Sequence, residues 1–216
     1  LEDPIEMIEP AFNQMQVHAN IDLSFASGVR ALLRQDPDII MLGEIRDLET
    51  AEVAIQAALT GHLVLSTLHT NDAPSAISRL QELGVAPYLI KATLLGVMAQ
   101  RLVRTLCPEC KIEQPVLAHD WQGLAPDWLT APPAHAWRAN GCLECRGTGY
   151  CGRAGVYEIM LMSDRLKALI NPQTDITALR REACSEGMRP LRVAAAQKVT
   201  AGMTTLAETL RVTPAC

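Results

Sequence analysis

Leu33-Arg34-Gln35-Asp36-Pro37-Asp38-Ile39-Ile40-Met41-Leu42-Gly43-Glu44-Ile45-Arg46-Asp47 is the stretch that decides how the rest of the chain is read. Residues 38–42 form a short apolar run that stops at a glycine, which suits a strand buried on both faces of a sheet. Residues 63–67, Leu-Val-Leu-Ser-Thr, are a second such run. Between them, residues 47–60 carry a helical pattern, with Asp47 as N-cap and Gly61 as the C-terminal stop. Another helix is expected over residues 73–83, ended by Gly84. Strand, helix, strand, helix with short connections predicts an α/β fold with a parallel sheet covered by helices.

Open α/β folds bind ligands at the carboxyl edge of the sheet, and the first run delivers Gly43 and Glu44 there. A carboxylate at that edge holds Mg²⁺, directly or through water, against nucleotide phosphates. The plainer alternative is that Glu44 and Asp47 only open and cap the following helix. Glu2-Asp3-Pro4-Ile5-Glu6 brings three more carboxylates, with Pro4 restricting the backbone before it. Ser66-Thr67-Leu68-His69-Thr70-Asn71 puts a histidine and several hydroxyls just past the second strand. Both segments are expected to meet Glu44 along one sheet edge. The plainer reading of His69 is a structural hydrogen-bonder, and of His62 packing or charge compensation at a helix C-terminus. One part is missing. A phosphate-cradling loop ends in Gly-Lys-Ser or Gly-Lys-Thr, and none of Lys91, Lys111, Lys167 and Lys198 follows a glycine. Half of a nucleotide site is therefore legible. With Leu rather than Met as first residue, the chain is expected to be a piece of something longer.

Further along, residues 88–106 read as a long helix, residues 154–162 as a strand, and the remainder as helical. Thr205-Leu206-Ala207-Glu208 has capping-box spacing. In between, Cys107-Pro108-Glu109-Cys110 and Cys142-Leu143-Glu144-Cys145 are two C-x2-C knuckles. Two residues between thiolates let both sulfurs of a knuckle face one tetrahedral ion, and two knuckles close the site. Such a site would be structural, adding on the order of 10 kcal/mol of apparent folding free energy to a segment with little core. Disulfides or buried thiols are the alternatives. Cys151, Cys184 and Cys216 break the paired spacing and are read as free thiols.

Composition narrows the classes. The 216 residues are 49% hydrophobic and 20% charged, ordinary for a globular protein and not for a disordered one. With 24 acids against 19 bases, net charge is −5, which does not suit a nucleic-acid surface. Between the knuckles, Lys111 and Arg138 are opposed by Glu113, Asp120 and Asp127, so Trp121, Trp128 and Trp137 are expected to pack the loop and not to stack on bases. No stretch reaches the roughly 18 apolar residues of a membrane span.

Taken together the motifs resemble those of the secretion ATPase superfamily. Residues 33–47 look like its Walker B signature, Leu1-Glu2-Asp3-Pro4-Ile5-Glu6 its Asp box, and residues 61–70 its His box. The four cysteines are similar to the tetracysteine motif of its assembly and export branch. Residues 147–158 and 202–213 match as well. Residues 95–108 look most like the type II secretion ATPases (general secretion pathway protein E), with the type IV pilus assembly ATPases next. The resemblance implies a RecA-like core, a homo-hexameric cytoplasmic motor hydrolysing ATP with Mg²⁺, and structural Zn²⁺ on Cys107, Cys110, Cys142 and Cys145. It implies docking to inner-membrane platform proteins, with no membrane span of its own and no nucleic acid. It implies three parts: residues 1–105, the second half of the ATPase core; 106–152, the zinc subdomain; and 153–216, a mainly helical subdomain. Glu44 would then organise Mg²⁺ and water, Glu2 would activate the attacking water, and His69 would sense the γ-phosphate. Asp3, Glu6, Gly43, Arg46 and His62 would support the nucleotide site, Arg46 and Arg34 equally able to pair with nearby acids. The P-loop would lie upstream of Leu1, so residues 1–216 alone are not expected to hydrolyse ATP; the alternative for them is a non-catalytic zinc-containing module docking through residues 107–216.

Overall fold

The computed structural model describes residues 1–122, 124 and 132–214; Asp127, Trp128 and Cys216 lie outside the described residues. The chain forms two compact units, one of residues 1–70, 74–95 and 162–179, the other of residues 71–73, 96–161 and 180–216.

In the first unit, Ser24 starts helix α1 (Phe25–Leu32) by accepting the Ser27 N–H, while the Ser27 hydroxyl oxygen accepts the Ser24 N–H at 2.8 Å. Strand β1 (Ile39–Leu42) follows, then helix α2 (Leu48–Leu59), capped by Asp47, which accepts the Thr50 N–H at 2.8 Å. Gly61 ends that helix at a φ of +100°, a conformation only glycine adopts without strain, and strand β2 (Leu63–Ser66) begins two residues later. β1 and β2 pair in parallel, Ile39 opposite Leu63 and Leu42 opposite Ser66. Ile40 and Leu42 are buried against Ala26 and Val29 of α1 and Val53, Ala54 and Ala57 of α2. Burial on both faces, expected from the sequence, does not hold. Ile39, Met41, Leu63 and Leu65 are 42–59% exposed, because α1 and α2 cover one face only. Helices α3 (Ser75–Glu82) and α4 (Pro87–Thr93) complete this stretch.

The long helix expected over residues 88–106 is half a strand. After α4 the chain turns into β3 (Gly96–Leu106). The apolar residues that suggested a helix have a period of two where it matters: Ala99 and Val103 point inward while Met98, Gln100 and Leu102 point out. β3 takes strand form because it pairs antiparallel with a distant partner, β6 (Tyr150–Leu161), from Gly96 opposite Leu161 to Val103 opposite Ala154. Between them, β4 (Ile112–Pro115) pairs antiparallel with β5 (His135–Arg138), with the short helix α5 (Ala118–Gln122) ahead of β5. Four-residue strands leave too little alternation to be seen in sequence. Helices α6 (Asp164–Leu169), α7 (Ile176–Ser185), α8 (Leu191–Thr200) and α9 (Leu206–Val212) follow. Trp121 is fully buried with Leu124, Ala136, Val193, Ala196 and Val199, so it does pack the loop. Trp137 lies under the Lys111 ammonium at 4.6 Å. Among the described residues no helix is long and apolar enough to cross a membrane.

One buried charge organises the second unit. Thr205 caps α9 by accepting the Glu208 N–H, and the Glu208 carboxylate, fully buried, accepts from Arg104 and Arg211, each at 2.7 Å. Arg104 also lies 4.1 Å from the Tyr150 ring. Burial opposes ionisation of Glu208, but the Arg104 and Arg211 guanidiniums outweigh it and bring the carboxyl down to about 2. A folded value below the ordinary one adds stability above pH 4.5 that is lost as pH falls toward 2. Glu208→Gln is therefore expected to flatten the acid limb of the stability curve in that window. It should also lower stability at pH 7 by about 2 kcal/mol, less than for a fully buried pair because both arginines are half exposed. Thermal melts from pH 7 to 2.5 check this; parallel curves would show that Glu208 carries no such charge.

Candidate functional site

The site is built at the carboxyl edge of β1 and β2. Leu1 runs alongside β1 as a parallel neighbour, its nitrogen donating to the Met41 carbonyl at 2.7 Å and its carbonyl accepting the Gly43 N–H at 2.8 Å. This approach is why glycine stands at 43: a Cβ there would lie 3.2 Å from the Leu1 carbonyl oxygen. Glu2 is held in turn by the returning chain, its N–H donating to Met15 O at 3.0 Å and its carbonyl accepting from Val17 at 2.9 Å. On the other side, the Ile45 N–H donates to Thr67 O at 3.0 Å and the Thr67 hydroxyl to Gly43 O at 2.6 Å. Three separate segments thus meet around Gly43 and Glu44.

Glu44 is the centre of the charge arrangement. Its carboxylate accepts from Arg46 at 2.5 Å and from His69 Nε2–H at 3.0 Å. The Arg46 guanidinium holds the Glu44 carboxyl below the usual carboxylate range; burial opposes this, and His69 adds to the lowering. Glu44 is mostly covered, whereas the His69 ring is 85% exposed, so its contact with Glu44 is open to solvent on the far side. The Glu2 carboxylate accepts from Gln14 Nε2 at 3.1 Å. Asp3 is exposed and lies near enough to Arg46 to act on its charge, and Glu6 is exposed. His62 is not brought to this edge. It precedes β2, and its Nδ1–H donates to Ala57 O at 2.9 Å at the end of α2. The pairing of Arg46 with Glu44 was not read from the sequence, which offered Asp36, Asp38 and Asp47. Glu44 and Arg46 are only two positions apart, so the pair lies within reach along the chain.

The four knuckle cysteines also converge. Cys107 and Cys142 sulfurs are 3.9 Å apart, Cys110 and Cys145 3.9 Å, and Cys142 and Cys145 3.7 Å, all four within 4.8 Å of one another. A tetrahedral ion with metal–sulfur bonds near 2.3 Å sets sulfurs about 3.8 Å apart, so the cluster has the dimensions of a closed site. Burial pushes the Cys107 thiol up to about 12. Burial acts the same way on Cys145, but the N–H groups of Cys142 and Gly149, each 3.1 Å from its sulfur, outweigh it and bring the thiol to about 6. Those amides suit a thiolate ligand. Cys151 is exposed, and neither it nor Cys184 forms a disulfide.

With this geometry in hand, the family is clear: residues 1–211 match the type II/IV secretion system protein family, and the chain belongs to it. It is 58% identical over 214 residues to the type IV pilus assembly ATPase TfpB of Acinetobacter baylyi, covering 99% of this chain and 37% of that protein. It is 49% identical over 213 residues to type II secretion system protein E of Klebsiella pneumoniae, and 47% identical to type II secretion system ATPase E of Vibrio cholerae. Each of those alignments covers 99% of this chain and 42% of the relative. The chain therefore spans about two fifths of the length of these relatives. Among solved structures it is similar to the ADP-bound pilus retraction motor PilT, with a TM-score of 0.67 and 27% identity over 97% of this chain and 50% of that one.

Replacing Arg46 by Gln is expected to move the Glu44 carboxyl titration upward toward its ordinary value, read by carbon-13 NMR of the side-chain carboxyl. An unchanged midpoint would show that the pair does not hold Glu44 in solution.

Proposed function

We propose that the chain is the catalytic-edge part of an ATP-hydrolysing motor that powers type II protein secretion. The observation that carries the reading is the meeting of Leu1–Glu2, Gly43–Glu44 and Thr67–His69 at one sheet edge. In this reading Glu44 offers its carboxylate to Mg²⁺ and holds water, and His69 aims its ring at the terminal phosphate. Glu2 takes the proton of the attacking water, and Arg46 balances Glu44 until nucleotide arrives. Magnesium supplies charge neutralisation of the phosphates when bound. Asp3 and Glu6 tune the surrounding field, Gly43 admits the neighbouring backbone, and His62 anchors the start of β2. The phosphate cradle lies in another part of the protein, so residues 1–216 alone are not expected to turn over ATP. The exposed apolar row Ile39, Met41, Leu63 and Leu65 supports this, as a face suited to the remainder of a RecA-like core.

The same reading assigns residues 1–105 to that core, 106–152 to a zinc subdomain and 153–216 to a mainly helical subdomain. Cys107, Cys110, Cys142 and Cys145 hold Zn²⁺ with no open position, which makes the ion structural. The whole protein acts as a cytoplasmic homo-hexamer and moves inner-membrane platform proteins. A second reading, type IV pilus assembly, is favoured by the 58% identity to a protein of that name. Deleting the gene separates them: loss of protein secretion with pili intact supports the first, and loss of pili with secretion intact the second.

Two outcomes test the chemistry. In the whole protein, Glu44→Gln is expected to lower ATP turnover by about 100-fold or more with the fold retained; undiminished turnover overturns the role of Glu44. Elemental analysis is expected to find one zinc per chain, lost in the Cys110→Ser, Cys142→Ser double variant together with a lower melting temperature.

A further inference from the structure

Within the first unit, the backbone of Glu2 is fixed on both sides, by the Met15 carbonyl and by the Val17 N–H. The torsions of its side chain are left to be set. A carboxylate that abstracts a proton must hold an oxygen within hydrogen-bond reach of that proton, so those torsions decide whether it can act. Among the described residues, the one donor to the Glu2 carboxylate is Gln14 Nε2, 3.1 Å from Oε2.

The half-buried Gln14 has its amide held at both ends. Its Oε1 accepts the Glu9 N–H at 2.8 Å, and its Nε2 donates to the Met7 carbonyl at 2.9 Å. These partners settle which end of the amide is which. A backbone N–H only donates and a carbonyl only accepts, so the nitrogen must face Met7 O, and its second hydrogen is left for Glu2. The loop between is closed on itself, the Glu9 carboxylate accepting the Ala11 N–H at 3.1 Å. Ordering that loop needs one acceptor and one donor from Gln14; the third bond goes to a carboxylate outside it. A glutamine already immobilised in this way reaches Glu2 without losing further side-chain freedom, and a charge-assisted hydrogen bond fixes direction as well as distance.

We propose that Gln14 is a positioning residue for ATP hydrolysis: its amide, locked by Met7 and Glu9, holds the Glu2 carboxylate in the orientation from which it takes the proton of the attacking water. This rests on the reading of Glu2 as that proton acceptor.

The test is made in the whole protein, with Gln14→Met and Gln14→Glu each introduced into wild type and into a Glu2→Gln background. Gln14→Met removes all three bonds. Gln14→Glu keeps the size and the acceptor for the Glu9 N–H while removing both donors, so it keeps the experiment readable if Gln14→Met does not fold. Glu9→Ala, which opens the loop's own bond to Ala11 and leaves Gln14 in place, is the control. The expected result is kcat lower by about 10-fold for each Gln14 variant, with KM for ATP within about 2-fold, and wild-type kcat for Glu9→Ala. Neither Gln14 variant should lower kcat further in the Glu2→Gln background. Wild-type kcat in both Gln14 variants, equal losses in both backgrounds, or a matching loss in Glu9→Ala overturns the positioning role while leaving Glu2 its own. A Glu2→Gln protein with wild-type kcat overturns the underlying reading and the role of Gln14 with it.

Discussion

The carboxylate of Glu44, held at the end of a four-residue strand between a guanidinium and an imidazole, is the interaction on which the candidate site depends. A charge this well covered is stable only where partners are built around it, and each partner arrives from a separate decision of the chain. Arg46 comes from two residues further along the chain, His69 from beyond the end of the neighbouring strand, and the Leu1 segment from the start. Parallel pairing of β1 and β2 makes this possible, because parallel neighbours end at the same edge and their following loops must meet there.

The second unit shows the same economy with different chemistry. Beside its apolar core, its segments are tied by buried acids: Glu208 to Arg104 and Arg211, Glu158 to the amides of Ala73 and Leu191. The four cysteines close a stretch whose backbone bonds run outward, Cys107 N–H to Gly149 O and Leu106 N–H to Met203 O. A metal ion at the sulfurs would lock together the two segments that carry the knuckles.

Much of the site was legible because it is local or periodic. An apolar run ending in Gly43-Glu44, a second ending before His69, and two C-x2-C knuckles are spacings that report on backbone geometry directly. The misreadings were of another kind. Residues 96–106 carry apolar residues compatible with a helix until β6 supplies a partner. Arg46 had four acids within reach in sequence, and only the folded chain pairs it with Glu44. His62 shares a motif with His69 yet stands at the other end of β2, since a strand separates its ends by its whole length.

The sequence alone determined the parallel α/β order, the carboxyl-edge carboxylate and the four-sulfur set, because short-range periodicity, turn residues and ligand spacing are properties of neighbouring positions. Tertiary structure alone decided that β3 is a strand, that one face of the β1–β2 pair stays open, that Glu44 takes Arg46 and His69, and that Glu158 reaches Ala73. Those outcomes depend on which distant segment arrives, and a hydrogen bond or ion pair across 25 or 85 positions leaves no periodic trace in the residues between.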